Sequence, residues 1–248
     1  MASRAEPVAP ELSPAPSIRS AVGGAARDFY YHSWRLLPAN ILWSVVALVI
    51  LIAVIIAPAG ILLLPVLALP TSGIFRITTR IARGGSVSFW DAIDAWRTTV
   101  GQTLALGAGI VGAAVVLATN LVLGLAGSSP LGWAVATLAG WGLVVLWLFA
   151  WTAWPIVVDP ARAGRPVVDR IRLAALLVLA HPIRIGGLGL VLGAILVAGA
   201  VAVVGIVSIA VSFAALVASR YVLPAADRLD TRLNGHEPAG SAPIADTP

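Results

Sequence analysis

Residues 98–158 form a run of 61 positions without a single Asp, Glu, Lys or Arg. A hydrocarbon layer about 30 Å thick is crossed by a helix of about 20 apolar residues. The run therefore holds two crossings and a turn, and Gly127, Ser128, Ser129 and Pro130 supply the turn. Two more charge-free runs flank it, 40 residues at 36–75 and 35 residues at 185–219. Only 11% of the chain is charged, against about 25% in an ordinary soluble domain. The class is all-α, a polytopic membrane helix bundle. The strands of a β-barrel would alternate polar and apolar residues in segments of about 10, and no such alternation occurs.

The net charge is +5 and the 16 basic residues are all Arg. They lie beside the apolar runs, so they read as orientation signals and not as a nucleic-acid surface. With no Cys, disulfide and thiolate chemistry are excluded. The absence of Lys, with abundant Ala, Gly, Val and Pro, is what a GC-rich bacterial genome writes.

Residues 1–24 are rich in Pro, Ala and Ser and read as a disordered cytoplasmic tail. No apolar core follows Arg4 closely enough for a signal peptide. Phe29, Tyr30, Tyr31 and Trp34 then mix with Arg27, Asp28, His32 and Arg35, as expected of a short interfacial helix over 25–37. Spans one and two are expected over 40–57 and 61–80, parted by the breaker Ala57-Pro58-Ala59-Gly60. Pro65 and Pro70 fall in span two, as kinks or as a break lining a substrate site.

Arg76, Arg80 and Arg83 follow, then Gly84 and Gly85. Ser88 and Asp91 have the spacing of a helix start. Phe89, Ala92, Ile93 and Trp96 share one face of the short amphipathic helix this predicts, and Asp91 and Asp94 share the other. Phe89, Ile93 and Trp96 are candidate partner-docking residues. The two aspartates have no His or third carboxylate near them, so a solvated face explains them better than a metal site.

Spans three and four are expected over 100–126 and 131–158. Asn120 is a candidate for an interhelical hydrogen bond. Trp147, Trp151 and Trp154 follow helical spacing, as an aromatic belt does. The loop 159–172 carries Arg162, Arg165, Arg170 and Arg172 with Asp159 and Asp169. Pro166 suits a first helical position, and the helix is expected to end near Ala180, before His181 and Pro182. His181 beside Arg184 reads as a capping or interfacial histidine, with anion binding as the alternative. Spans five and six are expected over 183–202 and 206–223. Gly189 and Gly193 have the spacing of a close helix contact. Residues 234–248 read as a second tail.

Six spans place both termini on one side, and all 16 arginines fall on that same side. That side is then cytoplasmic, and the membrane is the bacterial inner membrane. The span interiors carry no acid or base for a proton relay. No His-Glu-x-x-His or Gly-x-Ser-x-Gly motif occurs, so no enzyme, catalytic residue, metal or cofactor is expected. The partners expected are the lipid bilayer, membrane transport components and further copies of the chain.

Asn40-Ile41-Leu42-Trp43, Leu69-Pro70-Thr71, Arg76, Arg83-Gly84-Gly85 and Ser88-Phe89-Trp90-Asp91-Ala92 occur in that order. In this the chain resembles the YesL-like family of small bacterial integral membrane proteins, over residues 29–227. The resemblance implies an accessory role in solute uptake, carbohydrate included, and supplies no catalytic residues. The Pro-rich segment before Arg27 departs from the compact family pattern. The alternative to an accessory is a small-solute transporter or permease subunit.

Overall fold

The computed structural model describes residues 17–127, 129–202 and 209–234. Every regular element among them is helical. The order is α1 (Ile18–Ile56), a 3-10 segment (Pro58–Leu67), α2 (Ala68–Ala82), α3 (Trp90–Ala126), α4 (Pro130–Val157), a 3-10 turn (Pro160–Arg162), α5 (Val167–Ala180), α6 (Pro182–Val201) and α7 (Val211–Asn234). Five stretches are long and apolar enough to cross a membrane: α1, the 3-10 segment with α2, α3, α4 and α6. The sixth expected span, 206–223, lies partly outside the described residues, and the rest of it is the first half of α7.

α1 begins well ahead of the expected tail boundary and absorbs the expected interfacial helix. Ser17 caps it, its hydroxyl accepting from the Ser20 N–H at 3.0 Å. Ala21, Ala25 and Asp28, spaced on one face, are buried. A Cβ on Gly24 would lie 2.9 Å from Arg220 of α7, so the small face of this first stretch is a seat for α7. Pro38 sits inside α1, where it removes one hydrogen bond and crowds the carbonyl four residues back. Tyr30, Tyr31 and Trp34 stay exposed, on a helix that runs on into the apolar stretch.

The breaker acts where expected. Ala57 takes an extended backbone, and a Cβ on Gly60 would lie 2.5 Å from the Ala53 carbonyl carbon. No side chain fits there. The next ten residues are 3-10 helix with Pro58 at the start and Pro65 inside. At about 2.0 Å rise per residue, this tighter form reaches further along the bundle than the same residues in an α-helix.

α3 holds the expected short amphipathic helix and span three as two helical stretches that meet at a kink, where Thr99, with φ −130° and ψ 17°, leaves the helical backbone. Its start does follow the Ser88 and Asp91 spacing. The Ser88 N–H donates to Asp91 Oδ2 at 2.8 Å, half of a capping box. Gly124 and Gly132 close the α3–α4 hairpin: a Cβ on either would lie 2.6 Å from the other's carbonyl oxygen. Ser129 caps α4 and Pro130 is its first residue. The expected limits of α5 and α6 agree with the observed ones to within a residue or two.

α7 is the axis of the molecule. It packs against α1, α2, α4, α5 and α6, and Ala214, Ala215, Leu216, Val217, Ala218 and Val222 are fully buried. Its polar residues meet polar partners. The Ser212 N–H donates to Asn40 Oδ1 at 2.8 Å, and Ser219 Oγ lies 3.0 Å from Thr78 Oγ1. The Asn40 side chain thus ties α1 to the start of α7.

Candidate functional site

Both arginine-rich connections converge on the second half of α7. Asp159, between α4 and the 3-10 turn, has a side chain with no exposure to solvent. Its carboxylate accepts from Arg83 Nε at 2.9 Å and Arg83 Nη2 at 2.5 Å, a two-pronged contact. It also accepts from Arg162 Nη1 at 2.6 Å and from the Ala161 N–H at 3.2 Å. Asp227 of α7 receives the other prongs of both arginines: Arg83 at 3.2 Å, and Arg162. Two carboxylates and two guanidiniums thus join α2, the loop after α4, and α7. Such forked, charge-assisted contacts are the strong class of hydrogen bond. Burial works against the Arg83 charge, but hydrogen bonds to Asp159 and Asp227 outweigh it and hold the pKa above the ordinary arginine value.

Outlying pairs widen the cluster. Arg80 meets Asp91 at 2.7 Å, tying α2 to the start of α3. Arg165 meets Asp230 at 2.5 Å, and Arg220 meets Asp28 of α1. Two more arginines take the carbonyl end of α4. Arg76 donates to the Val158 oxygen at 2.8 Å, and Arg170 donates to the Val157 oxygen. Cations at a helix C-terminus answer both the orphan carbonyls and the negative end of the dipole.

Arg170 is 4% exposed. Its other nitrogen donates to Gln102 Oε1 at 3.0 Å, and its Nε has no partner. Burial pushes its pKa below the ordinary arginine value, with the Asp159 charge opposing. Beside it lies a cavity of about 310 Å³, lined among others by Arg76, Thr98, Thr99, Gln102 and Asp159. The bend of α3 at Thr99 is therefore in the cavity wall. Two guanidiniums, two hydroxyls and an amide can together bind a small polar or anionic group. Among the described residues, no three His, Asp or Glu gather in a way that could hold a metal ion.

The residues singled out from the sequence are dispersed. Phe89 packs half-buried against the core. A Cβ on Gly73 of α2 would lie 3.0 Å from Trp96 Nε1, and that buried N–H has no partner. Ala92 and Ala95 are buried, so α2 covers most of the stripe and Ile93 is left at its edge. Trp90, which the stripe does not include, is 70% exposed. Asn120 lies on the exposed side of α3. Gly189 and Gly193 differ. A Cβ on Gly189 would run into Leu148 of α4, and Trp147 Nε1 donates to its carbonyl at 3.3 Å; a Cβ on Gly193 meets nothing within 4 Å. Asp159, Asp227 and Asp28 carry the ion pairs and were not singled out. Asp159 three residues before Arg162 was the one visible signal, since the other partners are far apart in sequence.

No protein-family model matches this chain, no curated protein matches it, and no solved structure matches its fold.

Proposed function

We propose that this chain is a non-enzymatic protein of the bacterial inner membrane, with six spans and both termini cytoplasmic. It serves as an accessory to a solute-uptake system. One observation carries the reading: the described ion pairs gather at one end and tie four helices and a loop together there. That end is a stiff platform for a partner, and Trp90 stands exposed on it. Apart from Arg220 with Asp28, the described spans carry no charge pair that would move a proton or an ion through the bundle. The resemblance to YesL-like proteins favours carbohydrate as the solute. A sixth span is supported by the buried apolar first half of α7, and it would put the arginines on one side, as the positive-inside pattern requires.

A transporter in its own right is the second reading, favoured by the polar cavity at the bend of α3. Fusion reporters at Gly85, Gly164 and Asn234 should report the inside and one at Gly127 the outside. Photocrosslinking from position 90 in intact cells then tests docking. Adducts to a membrane transport component support the accessory reading. Solute uptake by proteoliposomes holding this protein alone, with no adduct, replaces it with the transporter.

A further inference from the structure

A second cavity, of about 520 Å³, lies between the start of α6 and the last turns of α7. His181, Arg184, Tyr221, Arg228 and Arg232 line it, and among the described residues that line it none is Asp or Glu. The sorting of charge is built into α7. At about 100° per residue, Tyr221, Ala225, Arg228, Leu229 and Arg232 share one side of that helix. Asp227 and Asp230 fall nearly opposite, where they meet Arg83, Arg162 and Arg165. The acids of α7 are thus turned to other arginines, and the cavity side keeps the basic ones. α6 adds Arg184. Pro182 opens the helix where α5 ends at Ala180, both in the cavity lining, so the two helix dipoles oppose each other there and the arginines set the charge.

An apolar track starts at the same place. Ile183 is 89% exposed at the cavity, and Leu190, Val197 and Val201 follow it, exposed, along α6. At helical spacing these four fall on one line. A basic cavity continued by an apolar track along a membrane-spanning helix matches an anionic head with a hydrocarbon tail. A soluble phosphate would use the first feature and not the second.

We infer that this cavity binds the phosphate headgroup of an anionic phospholipid, whose acyl chain lies along Ile183, Leu190 and Val197. The inference rests on the chain being embedded in a bilayer and is independent of what docks on the platform.

The test uses the full chain, purified in mild detergent and stripped of lipid. Native mass spectrometry then compares retained phosphatidylglycerol with retained phosphatidylcholine at equal concentration. Phosphatidylglycerol adducts should dominate. Arg184→Gln and Arg232→Gln, both at exposed positions, should each lower them about fivefold, as expected for one arginine near an anionic surface. Arg97→Gln, an exposed arginine on α3 outside the cavity, should not. Leu190→Ser should lower lipid retention without changing the preference for the anionic head. Equal retention of the two lipids by the parent overturns the inference, and that comparison needs no variant to fold. Equal loss in Arg97→Gln makes the attraction general to the charged end and overturns it as well. Displacement of the lipid by inorganic phosphate at the same concentration assigns the site to a soluble anion instead.

Discussion

Arg83 grips Asp159 across 76 positions of sequence, Nε to Oδ1 at 2.9 Å and Nη2 to Oδ2 at 2.5 Å. With Arg162 on the same carboxylate, Asp159 answers two cations from a side chain that water does not reach. Removing one member of a buried pair costs about 3–5 kcal/mol when the other is left unpaired; without Asp159, Arg83 and Arg162 keep only Asp227 to share, and Arg162 stays buried. Asp159→Ala should therefore lower the thermal stability of the detergent-extracted protein sharply. Asp230→Ala, which removes the partner of a half-exposed Arg165, should cost about 1 kcal/mol or less. Equal melting temperatures for the two variants would remove the central place given to Asp159.

The two glycines of α6 make a contrasting pair. A side chain at 189 has to displace Leu148, while one at 193 enters open space. Gly189→Leu should open the α4–α6 contact and lower stability by about 1–3 kcal/mol, the usual range for overpacking. Gly193→Leu should stay close to the parent. Thermal unfolding of both in one detergent decides it, and the reverse order would mean that α6 meets another surface through Gly193.

Asn40 is fully buried, and its side-chain oxygen takes the Ser212 N–H. Asn40→Leu keeps the volume but removes that hydrogen bond between α1 and α7, a loss of about 1 kcal/mol. The loss should appear as faster hydrogen exchange at the start of α7, with little change in α3 or α4. Uniform acceleration over all helices would show that Asn40 acts on the whole bundle instead.

What the sequence made legible was set by local chemistry. Charge-free length marks helices that cross lipid, and Pro58, Gly60, Ser88, Ser129 and Pro182 mark their ends through caps and breakers that act within a few residues. One boundary went differently because tertiary contact overrode local pattern. Residues 18–24 look like a tail until α7 lies against Gly24, whereas the short helix over 90–97 does part from the span after it, at the kink of Thr99. The ion pairs were least legible. Arg83 reads equally well as a topology signal, and nothing near it in sequence points to Asp159 or Asp227.

Trp90 and Trp96 stand six positions apart on α3 and face different surroundings. Trp96 lies over Gly73 with its indole N–H buried, whereas Trp90 is 70% exposed at the end of the bundle that the arginines tie together. Trp96→Ala should empty a packed space and destabilise by about 3–5 kcal/mol. Trp90→Ala removes little beyond an edge contact with the Phe89 ring, so its melting temperature should stay close to the parent. An exposed aromatic at an interface can nonetheless contribute about 2 kcal/mol or more to binding. The two variants therefore separate folding from docking. If the platform reading holds, Trp90→Ala keeps full stability and loses copurification of the transport component about thirtyfold, the ratio that corresponds to that energy. Unchanged copurification in Trp90→Ala, with Trp96→Ala unstable, would leave the aromatic cluster to packing and to the lipid interface, and would require the docking surface to lie elsewhere on the charged end.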